Sequence, residues 1–377
     1  MEKLEFKKDA AQRIGIDKLR LSGFRVSQID LQKLLSIAEN VEITASEDKA
    51  RRYKRCLPGT DTGIAKILIK DNQKFSDLVI GCASGSNGMP VEYVYLNLSV
   101  ANAKGCNLEN MSFADYDRHI NSVMKYISAA YGVILDASQM KADYMEINAN
   151  IFLNEDFSKY NRALRLFMSF FNNHMGKLST YSSYHKAKNG KKSRGESYKR
   201  GNKSTEIIFY DKTKQLFDNG IQIDGKRPVL RIELRLKTKQ KIKSAFNSCY
   251  WKDLDNEKIA AYFHKQISEY LSGKFERWQQ TRERDLLKMI PACRKKSPKL
   301  WHHILMQEIR NKSESQMIPY ILDMEQIISA FRNLPDPHRN ASRSIRSLLN
   351  TAVDDDIYKN NDLQKAREIL DRLNGMI

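Results

Sequence analysis

Residues 207–212 read IIFYDK and residues 230–237 read LRIELRLK, and both stretches alternate between apolar and polar side chains. This alternation is typical of a strand with one face in the core, because successive side chains point to opposite faces. The polar face of the second stretch consists of Arg231, Glu233, Arg235 and Lys237. In the first stretch, the same period predicts that Tyr210 and Lys212 share a face.

These polar residues define a candidate site for chemistry on a phosphodiester. If the two strands are neighbours in one sheet, a tyrosine, a lysine, a carboxylate and two arginines share one surface. A hydroxyl can act as the nucleophile, a carboxylate can bind a divalent metal, and guanidinium groups can bind phosphate oxygens.

The composition indicates a polyanionic partner. The chain has 377 residues and a formal net charge of +19. A basic excess of this size favours binding to nucleic acid over binding to a membrane. We find no apolar run of about 18 residues and no signal-peptide segment, so we expect a cytoplasmic protein without membrane contact.

The rest of the chain predicts an α+β fold followed by helices. Strands are predicted near residues 16–21, 62–70, 78–83, 92–99 and 143–152. A helix is predicted at 112–131, with Ser112 or Asp115 as its N-cap. From about residue 256 onward the chain is predicted to be helical, and Pro291 is predicted to end a helix near residues 274–290. Residues 1–250 should form an antiparallel sheet with helices on one face and a polar opposite face, and residues 251–377 an all-helical domain for nucleic-acid binding or oligomerisation.

A basic segment at residues 176–203 is the strongest candidate for nucleic-acid contact outside the sheet. It contains nine basic residues and one acidic residue, interspersed with tyrosines such as Tyr198. The basic candidates are Lys186, Lys188, Lys191, Lys192, Arg194, Lys199, Arg200 and Lys203. Such a segment can neutralise phosphates while its aromatic rings stack on unpaired bases, although a basic loop without a defined binding role is the alternative.

Four segments, in this order, resemble those of the filamentous-phage gene II replication proteins. They are GIDKLRLSGF (15–24), YMEINANIF (144–152), IIFYDKTKQL (207–216) and PVLRIELRLKTKQKIKSAF (228–246). The resemblance covers about residues 15–246. That family consists of rolling-circle replication initiators of phages and plasmids, whose nicking-endonuclease fold is related to the His-hydrophobe-His nucleases.

The resemblance implies a metal-dependent nickase that cuts one DNA strand and stays attached through a 5′-phosphotyrosine. It assigns Tyr210 as the nucleophile, with Lys212 as its helper. The sequence departs from the family in having no His-x-His pair on a predicted strand. Tyr95 and Cys106 stand where the phage proteins have a glutamate and a histidine.

Carboxylates on the polar face are the expected ligands of Mg²⁺ or Mn²⁺. We assign Glu146 and Glu233 to this role, with Asn148 or Asn97 adding an amide oxygen. Arg231 and Arg235 suit bidentate contacts with phosphates. The alternative for Glu233 is a cross-strand ion pair.

The expected partners are single-stranded and origin DNA, a host helicase and a host polymerase, with a homo-oligomer as a further possibility. Two other functions fit the same residues. One is a relaxase for plasmid mobilisation, which uses the same chemistry. The other is a non-catalytic DNA-binding regulator built on a decayed nuclease fold.

Overall fold

The computed structural model describes residues 3–4, 14–45, 64–71, 73–84, 90–104, 110–171, 175, 179–181, 197–220, 222–223, 228–301, 303–305, 307–308, 311 and 362–376. Its fold is α+β, with a large antiparallel sheet, associated helices and a helical C-terminal region. The predicted fold class is therefore confirmed. No helix within these ranges is long and apolar enough to span a membrane.

The strands are β1 (Lys3–Leu4), β2 (Gly15–Ser22), β3 (Arg25–Ile29), β4 (Val41–Ala45), β5 (Ile64–Lys70), β6 (Asp77–Ser84), β7 (Pro90–Ser99), β8 (Val133–Asp136), β9 (Lys141–Phe152), β10 (Ser179–Tyr181), β11 (Ser197–Gly201), β12 (Thr205–Asp211), β13 (Gln222–Ile223) and β14 (Val229–Leu236). Ten of them form the main sheet, in the order β10-β11-β12-β14-β9-β2-β7-β6-β5-β4. The long strand β9 therefore lies between β14 and β2 at the centre of the sheet.

The α-helices are α1 (Leu31–Ser36), α2 (Val100–Lys104), α3 (Phe113–Tyr131), α4 (Asn161–Phe170), α5 (Lys212–Asp218), α6 (Lys239–Phe246), α7 (Asn256–Phe263), α8 (Tyr270–Lys296) and α9 (Asp362–Asn374). A π-helix at His264–Glu269 joins α7 to α8. Helix α8 continues through Pro291, where the sequence predicted a break.

Helix α3 shows how local sequence sets an element. Ser112 and Asp115 form a capping box, in which each side chain bonds to the backbone of the other residue. Gly132 ends the helix with a φ of 65°, a left-handed conformation that glycine adopts without steric cost. The predicted N-cap at Ser112 is confirmed.

One face of the sheet is apolar and contributes to the main hydrophobic core. Fully buried residues on this face include Leu96, Met145 and Ile147, and α3 packs over β2 and β8. Burial of this apolar surface is the main stabilising contribution to the fold. The opposite face carries the polar residues of β9, β12 and β14, as the alternation predicted.

The helices after residue 250 share this core. Helix α9 packs against α4 and β9, and its residues Ile369 and Leu370 are buried in the same cluster as the sheet. Arg162 and Asp362 form an ion pair of 2.9 Å that joins α4 to the start of α9. The described helices beyond the expected boundary at residue 250 are thus integrated with the sheet.

Candidate active site

Three neighbouring strands bring the predicted site residues together. In the pairing of β12 with β14, Tyr210 lies opposite Arg231. In the pairing of β14 with β9, Glu233 lies opposite Asn148, and Arg235 lies opposite Glu146. Because residues directly opposite each other point to the same face, all of these side chains share the polar face of the sheet.

Strand β2 adds a carboxylate that the sequence did not reveal. Ile16 pairs with Ile147 and Lys18 pairs with Glu146, so Asp17 is the extra residue of a β-bulge. A bulge turns a side chain away from the face that strict alternation would give it. The hydroxyl of Tyr116 donates to the backbone oxygen of Asp17 at 2.6 Å and holds the bulge in place.

The bulge completes a buried acidic cluster of Asp17, Glu146 and Glu233. Each of these residues is 2% exposed, and one oxygen from each lies within 4.8 Å of the other two. Three carboxylates this close repel one another, and burial strengthens the repulsion. The cluster is therefore suited to binding a cation.

Two arginines neutralise part of this charge. The guanidinium of Arg231 lies 3.1 Å from Asp17 Oδ2, and its Nε donates to Asn150 Oδ1 at 2.7 Å. Arg235 contacts Glu233 at 2.8 Å and Glu146 at 3.1 Å. Among the described residues, Glu233 is ion-paired with Arg235 on its own strand, and not with a residue of a neighbouring strand as the alternative expected.

Buried polar atoms without partners mark the side of the cluster that could bind a metal. Asp17 Oδ1, Glu146 Oε2 and both side-chain polar atoms of Asn148 have no hydrogen-bond partner among the described residues. Asn148 is fully buried and lies on β9, two residues after Glu146. Buried polar groups are nearly always paired, so these oxygens fit a hard divalent cation that takes oxygen ligands.

Tyr210 lies beside the cluster with part of its surface exposed. Its hydroxyl donates to Glu233 Oε1 at 2.5 Å. Burial raises the pKa of this hydroxyl well above its ordinary value, and the charge of Glu233 raises it further. Burial also raises the pKa of Glu233, but Arg235 and Arg231 outweigh that effect and hold it below its ordinary value. Glu233 is therefore an ionised acceptor for the phenolic proton.

A second tyrosine contacts the cluster from β9. The hydroxyl of Tyr144 donates to Glu146 Oε1. Burial raises the pKa of Glu146, and the nearby charge of Glu233 adds to this shift. Arg235 and Lys18 oppose this shift without cancelling it, so the charged form of Glu146 is disfavoured by burial beside a second carboxylate.

Lys212 was predicted to lie on a strand, and the structure places it in a helix. Strand β12 ends at Asp211, whose side chain caps α5, so Lys212 is the first residue of a helix and not a strand residue. Its ammonium donates to Gln215 Oε1 at 2.7 Å and lies 5.9 Å from the centre of the Tyr210 ring. Burial lowers the pKa of Lys212 to about 7, and the nearby charge of Arg231 contributes to this shift.

The structure places Arg231 in the interior. It is fully buried between Asp17 and Asn150, so a surface phosphate contact, as expected from the sequence, has no room here. Arg235 is 24% exposed, and its three guanidinium nitrogens contact the carboxylates of Glu146, Glu206 and Glu233. Asn97, the alternative amide ligand, accepts a hydrogen bond from Arg20 at 2.9 Å and does not join the cluster.

The basic segment is described only in part. Lys186, Lys188, Lys191, Lys192 and Arg194 lie outside the described residues. Lys199 is paired with Glu206 at 2.8 Å. Arg200 donates to the backbone oxygens of Met168 and Phe171 at the end of α4, and Lys203 is exposed. Tyr198 is buried in the core, which corrects its expected role in base stacking.

No family model matches the chain, and no curated protein matches it.

Proposed function

We propose that this protein is a metal-dependent DNA strand nickase that uses Tyr210 as its nucleophile, in the manner of phage and plasmid rolling-circle initiators. One observation carries the proposal: a tyrosine hydroxyl donates directly to a carboxylate of a buried acidic cluster that has unpaired oxygens. The four segments that resemble the gene II proteins support the same assignment.

The residues present fit a divalent metal such as Mg²⁺ or Mn²⁺. Asp17, Glu146 and Asn148 offer oxygens without hydrogen-bond partners among the described residues, and Glu233 completes the acidic cluster. When bound, the metal would polarise the scissile phosphate as a Lewis acid. Because the donors are carboxylates and an amide, the site favours hard cations over softer ones.

The chemical step uses Tyr210 and Glu233. The phenolic oxygen attacks phosphorus and its proton moves to Glu233 Oε1. The bond between phosphorus and the 3′-oxygen then breaks, which leaves a 5′-phosphotyrosine and a 3′-hydroxyl. The 3′-oxygen takes up the proton that Glu233 accepted, so the step is balanced within the site. Lys212, whose ammonium lies 5.9 Å from the centre of the Tyr210 ring, would stabilise the negative charge that develops on the phenolic oxygen. The reverse reaction rejoins the strand without an energy cofactor.

The substrate that suits this chemistry is single-stranded DNA exposed at an origin. The net charge of +19 favours a polyanion. The free 3′-hydroxyl would prime a host polymerase, and strand separation would require a host helicase. Mobilisation of a plasmid by a relaxase uses the same step and remains the second enzymatic candidate.

The deciding experiment is covalent adduct formation. Wild-type protein, labelled single-stranded origin DNA and Mn²⁺ should give an adduct that survives denaturing electrophoresis, and Tyr210→Phe should abolish it. Tyr144→Phe is the matched control, since it removes another hydroxyl from the same cluster. Peptide mapping of the adduct should identify Tyr210.

Two results would contradict the proposal. An adduct that persists in Tyr210→Phe and is lost in Tyr144→Phe would move the nucleophile to β9. If no single-stranded DNA gives an adduct although the protein binds DNA tightly, the non-catalytic regulator is favoured.

A further inference from the structure

A pair of tyrosines lies on the same sheet face as the candidate active site, beyond β2. Arg20 pairs with Tyr144 on one side and with Asn97 on the other, so β7 presents Asn97 on the polar face. Two and four residues earlier on β7, Tyr95 and Tyr93 point to that face as well. Glu146 pairs with Lys18, which pairs with Ser99 on β7, and Tyr95 lies four residues before Ser99. An offset of two strands and four residues separates Tyr95 from Glu146 by roughly 16 Å.

The two rings form a continuous aromatic surface. Their centroids are 5.6 Å apart and both residues are half-buried, so each ring keeps exposed surface. The Tyr93 ring lies over Gly81, where a Cβ atom would come within 2.5 Å of it. Because Gly81 has no side chain, the Tyr93 ring can pack directly against the backbone of β6.

Cations line the path from this surface to the cluster. Lys18 is 51% exposed and lies 3.9 Å from Glu146, and Arg20 is exposed beside it on β2. Lys66 lies opposite Gly81 on the other side of the tyrosine pair. Exposed aromatics between cations are the arrangement that binds an unpaired strand, because bases stack on rings while cations contact phosphates.

We propose that Tyr93 and Tyr95 form a stacking platform for the single strand of DNA that leads into the active site. This inference rests on the proposed function for the identity of its ligand. Duplex DNA does not fit the platform, since its bases are already stacked and paired. Lys18 and Arg20 would contact the backbone between the platform and the cut site.

The test is binding without cleavage. Fluorescence anisotropy in EDTA would use the full chain and a labelled oligothymidylate of about twenty nucleotides, longer than the sites of single binding folds. Tyr93→Leu and Tyr95→Leu should each weaken affinity about tenfold, which corresponds to about 1.4 kcal/mol. Tyr93→Phe and Tyr95→Phe should bind within about twofold of wild type, because the ring is retained.

The matched control is Tyr262→Leu, which alters a half-buried tyrosine on α7. It should leave affinity unchanged, and circular dichroism should show that every variant is folded. Lys18→Ala should reduce the slope of log K against log salt by about 0.7, the value for one phosphate contact on a single strand.

The binding test of the stacking platform and the adduct test of the proposed nickase can fail independently. Wild-type affinity in both leucine variants, or equal affinity for a duplex of the same length, would overturn the platform even where the Tyr210 adduct forms. Loss of binding in the leucine variants supports the platform even where no adduct is found.

Discussion

Arg231 on β14 and Asp17 on β2 form a buried ion pair of 3.1 Å across the intervening strand β9. Removing one partner of a buried pair leaves an uncompensated charge. Arg231→Met should therefore lower the free energy of unfolding by about 3–5 kcal/mol. Urea denaturation would measure this change.

A double variant tests whether the pair itself is responsible. Arg231→Met combined with Asp17→Asn removes both charges and should recover part of the lost stability. Arg118→Met, in an exposed pair with Asp115, should change stability by less than about 1 kcal/mol. A double variant less stable than both singles would contradict the role of the pair.

The acidic cluster should bind Mn²⁺ in the absence of DNA. Electron paramagnetic resonance should detect binding by the wild type, and Asp17→Asn or Glu146→Gln should weaken it at least about tenfold. Glu42→Gln is the control, because Glu42 is an exposed carboxylate paired with Lys70. Equal Mn²⁺ affinity in all four proteins would remove the cluster as the metal site.

Lys212 should make stability depend on pH. Its folded-state pKa is about 7 and the ordinary value is about 10.4. Between these values the unfolded chain binds a proton that the folded chain does not, so this residue makes stability rise with pH. Lys212→Met should remove up to about 1.4 kcal/mol per pH unit of that rise.

Urea denaturation at several pH values from 6 to 9 would measure the slope for Lys212→Met. Lys214→Met is the control on the same helix, because the side chain of Lys214 is 36% exposed. The same slope in wild type and Lys212→Met would show that the ammonium is not destabilised by burial.

Gly15 should not tolerate a side chain. A Cβ atom there would lie 2.7 Å from the backbone oxygen of Met111, which cannot move without disturbing the bulged strand. Gly15→Ala should lower the free energy of unfolding by about 1–3 kcal/mol. Gly273→Ala, in helix α8 with open space around it, should instead stabilise by about 0.5–1 kcal/mol. Thermal unfolding should therefore show a lower melting temperature for Gly15→Ala and a higher one for Gly273→Ala.

Helix α9 should unfold together with the sheet. Ile369 is fully buried in the shared core, so Ile369→Ala should lower the free energy of unfolding by about 2–5 kcal/mol. Arg367→Ala on the exposed side of the helix is the control. If unfolding occurs in two transitions and Ile369→Ala shifts only the earlier one, the C-terminal region is an independent domain.

Much of the fold and part of the site were predictable because the relevant signals are local. Alternation with period two correctly gave β12 and β14, and it placed Tyr210 and Glu233 on one face. The sequence Ser-Phe-Ala-Asp at residues 112–115 contains both halves of a capping box, which fixed the start of α3. The break expected at Pro291 was wrong, because α8 continues through that residue.

Asp17 was missed because strict alternation places it with Leu19 and Leu21 on the apolar face. The bulge moves Ile16 into the core and Asp17 to the polar face, and only the pairing with β9 shows this shift. The Ile-Asp dipeptide within the resembling segment 15–24 was the available signal. Lys212 was misplaced for a similar reason, since the cap at Asp211 ends the strand one residue before it.

The sequence by itself predicted seven strands of the main sheet (β2, β5, β6, β7, β9, β12 and β14), the polar face of the sheet and the strongly basic charge, because these properties depend on neighbouring residues and composition. The tertiary structure alone decided which charges meet. Asp17, Glu146 and Glu233 come from three strands, and their separation depends on register and on one bulge. A shift of one residue in either pairing would send a carboxylate to the opposite face, so the site exists only once the sheet has assembled.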